Sequence, residues 1–160
     1  MTIRDAVPAD LALIARFIRD LADYERLAHA VEFDEATLER SLFGDRPYAE
    51  VLIAADDAGE PVGFALFFHN FSTFLGRPGI YLEDLFVRPE ARGKGYGKAL
   101  LARLAAIAVE RGCGRLEWAV LNWNQPSIEF YEAMGARPNS DWTVYRLTGE
   151  SLRALGTIPV

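Results

Sequence analysis

The chain has one cysteine, two histidines and no long unbroken apolar run. A lone Cys113 cannot close an internal disulfide, which fits a reducing compartment, and a buried structural thiol is its expected role. His29 and His69 stand far apart and offer no metal-ligand spacing, so no metal is expected. No stretch approaches the ~20 apolar residues of a membrane span, so no membrane partner is expected either. The opening residues, MTIRDAVPAD, carry charge and Pro8 where a secretory signal would be apolar, which points to a cytoplasmic location. Basic residues are the minority. The net charge of −6 argues against nucleic acid, whose binding calls for a basic face. It suits a cationic small molecule, although acidity also serves solubility alone. Repeats, linkers and low-complexity segments are missing. At 160 residues, 51% hydrophobic and 25% charged, the chain fits one globular domain spanning 1–160.

What is present centres on Arg92-Gly93-Lys94-Gly95-Tyr96-Gly97-Lys98. This run lies between an apolar strand-like segment, Ile80 to Val87, and a helix-like one, Lys98 to Arg111. Glycines let a loop adopt positive φ and turn its backbone N–H groups inward. The helix that follows adds unpaired N–H groups and a partial positive charge. Together they predict a receptor for a phosphate-bearing ligand. Two common phosphate loops are excluded by spacing. A P-loop has a glycine five residues before its Gly-Lys pair and Ser or Thr after it, where this chain has Arg92 and Ala99. In the dinucleotide fingerprint a third glycine would fall at Lys98. The pattern that fits is Arg-x-x-Gly-x-Gly, from Arg92 through Gly95 to Gly97.

Periodicity sets out the elements. Thr2 to Ala6 reads as a strand, and Pro8 sits in the first turn of a helix running to about Leu27. Asp34 caps a second helix that ends near Gly44. Val51 to Ala55 and Val62 to Phe74 form a hairpin, and Ile80 to Val87 is the next strand. After the long helix, Leu116 to Leu121 is a strand, Asn124 to Met134 a helix, Trp142 to Leu147 a last strand and Ser151 to Leu155 a short helical turn. Hairpins first and helical crossovers later predict an α/β fold, a mixed sheet with helices on both faces.

Several side chains could carry chemistry. Glu83 and Asp84 interrupt an apolar strand, and alternation puts them on opposite faces, so at least one can point inward. A buried carboxylate costs several kcal/mol or has its pKa raised, which is what a general base for an ammonium needs. The alternative is a carboxylate paired with arginine or facing solvent. Asn124 can cap its helix or bond an amide-rich ligand arm. Tyr131 lies two turns further on the same face, where its phenol could protonate a leaving thiolate or simply pack in a core. Tyr24, Glu25 and Glu32 read, by themselves, as surface residues.

The glycine loop, the strand YLEDLFV and the element NWNQPSIEFYEAMGA together resemble the GNAT superfamily of N-acetyltransferases. Within it they are most similar to the diamine acetyltransferases, the spermidine/spermine and thialysine group; AVLNWNQ, LADYERL and FGDRPYAEVLIA share the likeness. The resemblance runs from Ile3 to about Leu147. It implies a mostly antiparallel sheet splayed at the strand of Glu83 to Val87, acetyl-coenzyme A as co-substrate, and direct transfer of acetyl to a primary amine of a small molecule. It places pantetheine along Leu85, Phe86 and Val87, and pyrophosphate on Arg92, Gly93, Lys94, Gly95, Tyr96, Gly97 and Lys98. Asn124 and Ser127 would touch the pantetheine and adenosine side. Tyr131 matches the tyrosine that protonates the thiolate and Glu83 the carboxylate that takes the amine proton. Tyr24, Glu25, Asp84 and Trp118 match the substrate wall. A homodimer is implied. One departure concerns the segment 136–142, shorter than in the family and acidic only at Asp141, which favours a lysine analogue or short diamine over spermidine or spermine. Two other readings are an acyl-coenzyme A sensor with little turnover and a protein lysine or N-terminal acetyltransferase.

Overall fold

In the computed structural model, which describes residues 1–158, the strands are β1 (Thr2–Asp5), β2 (Glu50–Ala55), β3 (Pro61–Ser72), β4 (Arg77–Val87) and β5 (Leu116–Trp118). The α-helices are α1 (Leu11–Tyr24), α2 (Glu35–Phe43), α3 (Tyr96–Glu110), α4 (Gln125–Ala133) and α5 (Gly149–Gly156). The last two residues of the expected 1–160 domain lie outside the described ones. The chain divides into two compact units, Met1–Leu121 and the part from Asn122 onward.

The first unit holds a mixed sheet in the order β1-β2-β3-β4-β5, antiparallel except for the parallel pair β4–β5. Its two faces follow from the period of two along each strand. Val51 and Ile53 of β2, Phe64 and Leu66 of β3 and Phe86 of β4 join Ile14, Phe17 and Leu21 of α1 and Leu42 of α2 in one core cluster. Phe17 stacks on Phe64 at 5.5 Å and meets Phe86 at 6.0 Å between ring centres. The residues between them, Leu52, Ala54, Ala65 and Phe67, are equally buried and face the other way, the side on which α3 buries Leu100, Leu104 and Ile107. Helices therefore cover both faces, as the order of elements predicts.

Local signals set several boundaries. Asp34 accepts a hydrogen bond from the Thr37 N–H at 2.6 Å and caps α2, as expected. Before α1, the Asp10 carboxylate takes two hydrogen bonds from Arg4, at 2.7 and 2.8 Å, and one from the Val7 N–H at 2.8 Å. It thereby ties β1 to the start of α1.

Two strand expectations need correction. Leu116 to Leu121 shortens to Leu116–Trp118, and the expected strand Trp142 to Leu147 does not form. Its aromatic and β-branched residues favour a strand, but a strand also needs a neighbour to complete its ladder. None pairs with it among the described residues, and Trp142, Val144 and Tyr145 stay largely exposed. α1 also stops three residues before its expected end, for a reason given below.

Asp10 tests the clamp between β1 and α1. The Arg4 guanidinium holds its carboxyl below the ordinary 3.8. A group depressed in the folded state contributes stability above its unfolded value and loses it as pH falls through the folded one. Asp10→Ala should lower unfolding free energy by about 1–2 kcal/mol at neutral pH. Urea titrations at neutral pH and below about pH 3 should show the difference between variant and wild type shrinking in acid.

Candidate active site

The glycine loop closes the end of β4. Gly93 and Gly95 take φ of 73° and 88°, the left-handed region that disfavours a side chain. Gly95 is the residue before α3, and no side chain caps the N–H groups of that helix's first turn. A Cβ at Gly93 would meet nothing within 4 Å, so the loop opens on empty space. Lys94 and Lys98 are exposed beside it, whereas Tyr96 is buried and Gly97 half-buried. Uncapped amides, a helix start and two ammonium groups fit a diphosphate. The Arg92 side chain takes another course. Its Nε donates to the Val87 carbonyl at 2.9 Å, and its guanidinium lies 4.7 Å from the Tyr24 ring centre and 5.7 Å from that of Phe86.

β4 supplies the rest. Its ladder with β5 covers only Ile80, Tyr81 and Leu82, paired with Leu116, Glu117 and Trp118. Beyond Leu82 the strand continues for five residues with no β5 partner, which is the expected splay at Glu83 to Val87. On the other side β3 pairs Leu66 with Asp84 and Phe67 with Leu82, so Glu83 is the extra residue of a β-bulge. The bulge breaks the simple alternation assumed for Glu83 and Asp84. Glu83 is exposed and Asp84 half-buried. Burial, then the neighbouring Glu83 and Glu25 carboxylates, push the Asp84 carboxyl up to about 7. Burial also raises Glu25. Leu85 and Val87 are half-buried, and Phe86 commits its side chain to the core. Trp118, at the end of β5, is half-buried.

Tyr24 and Glu25 are not the surface residues that they seem when read alone; both are half-buried at the end of α1. The helix stops on Arg26, at φ 63°, with the Arg26 N–H on the Asp23 carbonyl at 3.0 Å and the Leu27 N–H on that of Ala22 at 2.8 Å. This double closure usually has glycine where Arg26 stands, and a side chain there costs roughly 1–2 kcal/mol. Nothing in the sequence flags it, since the segment has no glycine. Sequence reasoning also missed a groove of about 510 Å³ beside this helix end, lined by Arg16, Asp20, Tyr24, Phe86, Arg88 and Arg92 among others. Arg16, Asp20 and Asp23 share a helical face, and that spacing could have drawn attention to them.

In the second unit Asn124 is buried, and its side-chain oxygen accepts from the Ser127 N–H at 3.4 Å, capping α4. Tyr131 is half-buried on α4, its ring 5.4 Å from that of Phe130. Among the described residues there is no cluster of three or more potential metal ligands, and no helix is long and apolar enough to cross a membrane.

Residues 15–136 match the acetyltransferase (GNAT) family. The thialysine N-epsilon-acetyltransferase of Bos taurus is 39% identical, over 96% of this chain and 95% of its own length. The L-ornithine N5-acetyltransferase of Arabidopsis thaliana is 34% identical, over 99% and 89%. Among solved structures, an integron cassette protein from the mobile metagenome of V. cholerae superposes with a TM-score of 0.81 at 30% identity, covering 98% of both chains.

The Asp84 environment can be read directly. A carboxyl raised in the folded state binds its proton more tightly there, so stability declines as pH climbs from the unfolded value through the folded one. Asp84→Asn should match wild type near pH 4 and exceed it by up to about 4 kcal/mol above pH 8. Carboxyl NMR should give Asp84 a midpoint near 7. Glu25→Gln should lower that midpoint, and an Asp84 midpoint near 4 would remove the desolvated site.

Proposed function

The chain belongs to the GNAT family of acetyltransferases and is an acetyl-transferring enzyme; from that premise we propose that it moves acetyl from acetyl-coenzyme A to a primary amine of a small molecule, in a ternary complex and without a covalent enzyme intermediate. The observation that carries this reading is the conjunction, in one unit, of an open glycine loop and a bulged, half-unpaired strand bearing a carboxyl poised near 7. The names of the relatives favour an amine on an amino-acid side chain, thialysine or ornithine. The short segment 136–142, acidic only at Asp141, supports a lysine analogue or short diamine over a long polyamine.

The amides and lysines of Gly93 to Lys98 would hold the pyrophosphate. The stretch Leu85, Phe86 and Val87, which β5 leaves uncovered, would bond the pantetheine amides, with Asn124 and Ser127 on the same ligand's path. When bound, the coenzyme supplies an activated acetyl thioester. The amine arrives as an ammonium and has no lone pair to attack with until it loses a proton. A carboxyl near 7 is matched to that task at neutral pH, which supports Asp84 over Glu83 as the base. Glu83 and Glu25 would then hold cationic charge beside it, with Tyr24 and Trp118 completing the wall. Tyr131 would return a proton to the departing thiolate. Holding the two reactants together supplies much of the acceleration.

We further infer a single acetyltransferase domain over 1–160 that works as a cytoplasmic homodimer. The exposed apolar side chains Trp142, Val144 and Tyr145 support a second copy, since they are left uncovered in one chain.

A panel of diamines, lysine, ornithine, thialysine and peptides, assayed with acetyl-coenzyme A, separates the readings. Small amines should be acetylated and peptides not. Coenzyme binding without any product would favour a sensor. Tyr131→Phe should cut kcat by about 10²-fold or more while the coenzyme Kd stays nearly constant. Asp84→Asn should cut kcat/KM similarly and abolish the rise in rate through about pH 7. Full activity in either variant would remove the role given to that residue.

A further inference from the structure

Arg92 opens the glycine motif, yet its side chain is spent elsewhere. It is fixed at one end by the Val87 carbonyl, at 2.9 Å, and lies over Phe86, a core residue only 4% exposed. The same guanidinium lies 4.7 Å from the ring centre of Tyr24, the last residue of α1. Immediately beyond stands the strained stop at Arg26, with φ 63°. Backbone held in a disfavoured region persists only where its surroundings over-determine it. The segment under that constraint carries Tyr24 and Glu25, and Glu25 is one of the two carboxylates that raise Asp84. Arg92 is thus a mechanical link with the glycine loop on one side and the end of α1 on the other.

We propose that Arg92 is a positioning residue that couples the coenzyme loop to the amine wall. The loop, once it holds a diphosphate, fixes Arg92; Arg92 fixes Tyr24; and Tyr24 sets Glu25 against Asp84. The guanidinium suits this role because it can donate to a carbonyl in its own plane while its face lies against aromatic rings. A lysine would keep the charge and lose the stack. The coupling rests on the assignment of loop and wall made under the proposed function, and it goes further. It predicts that a residue of the phosphate motif governs amine recognition.

The test uses the full chain and coenzyme A as the probe. Amide hydrogen exchange over residues 21–27 is followed with and without coenzyme A in wild type, Arg92→Ala, Arg92→Lys, Tyr24→Ala and the double variant Arg92→Ala/Tyr24→Ala. In wild type, coenzyme A should slow exchange in this segment. Arg92→Ala should abolish that slowing even at saturating coenzyme A, and should raise amine KM about tenfold with a smaller change in kcat. Arg92→Lys should restore little of the protection. The double variant should have an amine KM no higher than the worse single variant, because both changes cut the same link. Lys94→Ala, which weakens coenzyme A without touching α1, should keep the protection once saturated. Protection of 21–27 that persists in Arg92→Ala, or additive effects of Arg92→Ala and Tyr24→Ala, would overturn the coupling and leave Arg92 a phosphate contact. Should Arg92→Ala fail to fold, Arg92→Lys and Tyr24→Leu decide the question by the same exchange readout. Failure of coenzyme A to bind wild type would instead sink the functional reading itself, so the two failures are distinguishable.

Discussion

The ladder between β4 and β5 ends at Leu82, and much else depends on that early ending. A backbone donor or acceptor in a half-buried strand needs a partner, and Glu83 to Val87 have none from β5. In an ordinary sheet this would be a defect at an edge. Here it lies between β4 and the last strand in the order, β5, with β3 still paired along the other side. The result is a stretch of backbone backed by β3 and not paired with β5, with the Val87 carbonyl taken by Arg92. An extended, amide-bearing ligand arm can take the place of the missing strand, much as a peptide adds to a sheet edge. The glycine loop stands where β4 ends, so an arm laid along the gap would have its phosphate end at the start of α3.

The bulge at Glu83 belongs to the same event. An extra residue bends a strand and increases its twist, which draws it away from a neighbour on one side while the other side keeps pairing. It also ends the alternation that would have sent Glu83 and Asp84 to opposite faces. Two carboxylates that the sequence places apart come to act on each other, and Glu25 adds a third. The splay and the electrostatics therefore share one cause, a single uncompensated residue in β4.

The parts legible in the sequence are those whose cause is local. Asp34 and Asn124 cap the helices that they precede because a short polar side chain reaches the N–H three residues on. Gly93 and Gly95 stand where the backbone turns through positive φ, and the apolar periods of α1, α3 and the central strands assign the two faces of the sheet. What escapes has causes elsewhere in the chain. The bulge is a count of residues between two strands, so neither strand alone reveals it. β5 ends at Trp118 because its partner turns away, although Ala119 to Leu121 are apolar enough to continue. The segment Trp142 to Leu147 has the β-branched and aromatic residues of a strand, yet no strand pairs with it among the described residues. Arg26 adopts a glycine's conformation with nothing nearby to announce it. The resemblance could assign Arg92 to a phosphate motif, but only three dimensions put its guanidinium on Tyr24.

The acidic cluster is best understood through what it lacks when empty. Burial first, and then the Glu83 and Glu25 carboxylates beside it, let Asp84 keep its proton up to about 7. A cation entering beside Glu25 and Glu83 would remove the repulsion, make ionisation of Asp84 easier and strengthen its own hold in the same act. For a molecule with two ammonium groups this divides the labour. The remote ammonium would stay charged against the outer carboxylates, while the reacting one would give its proton to the carboxyl that resists charge most. A monoamine offers no second charge, and so would leave Asp84 repelled by its neighbours once it had lost its own proton. Selectivity for a second cationic centre would then reside in the pKa of the base as much as in any fitted pocket.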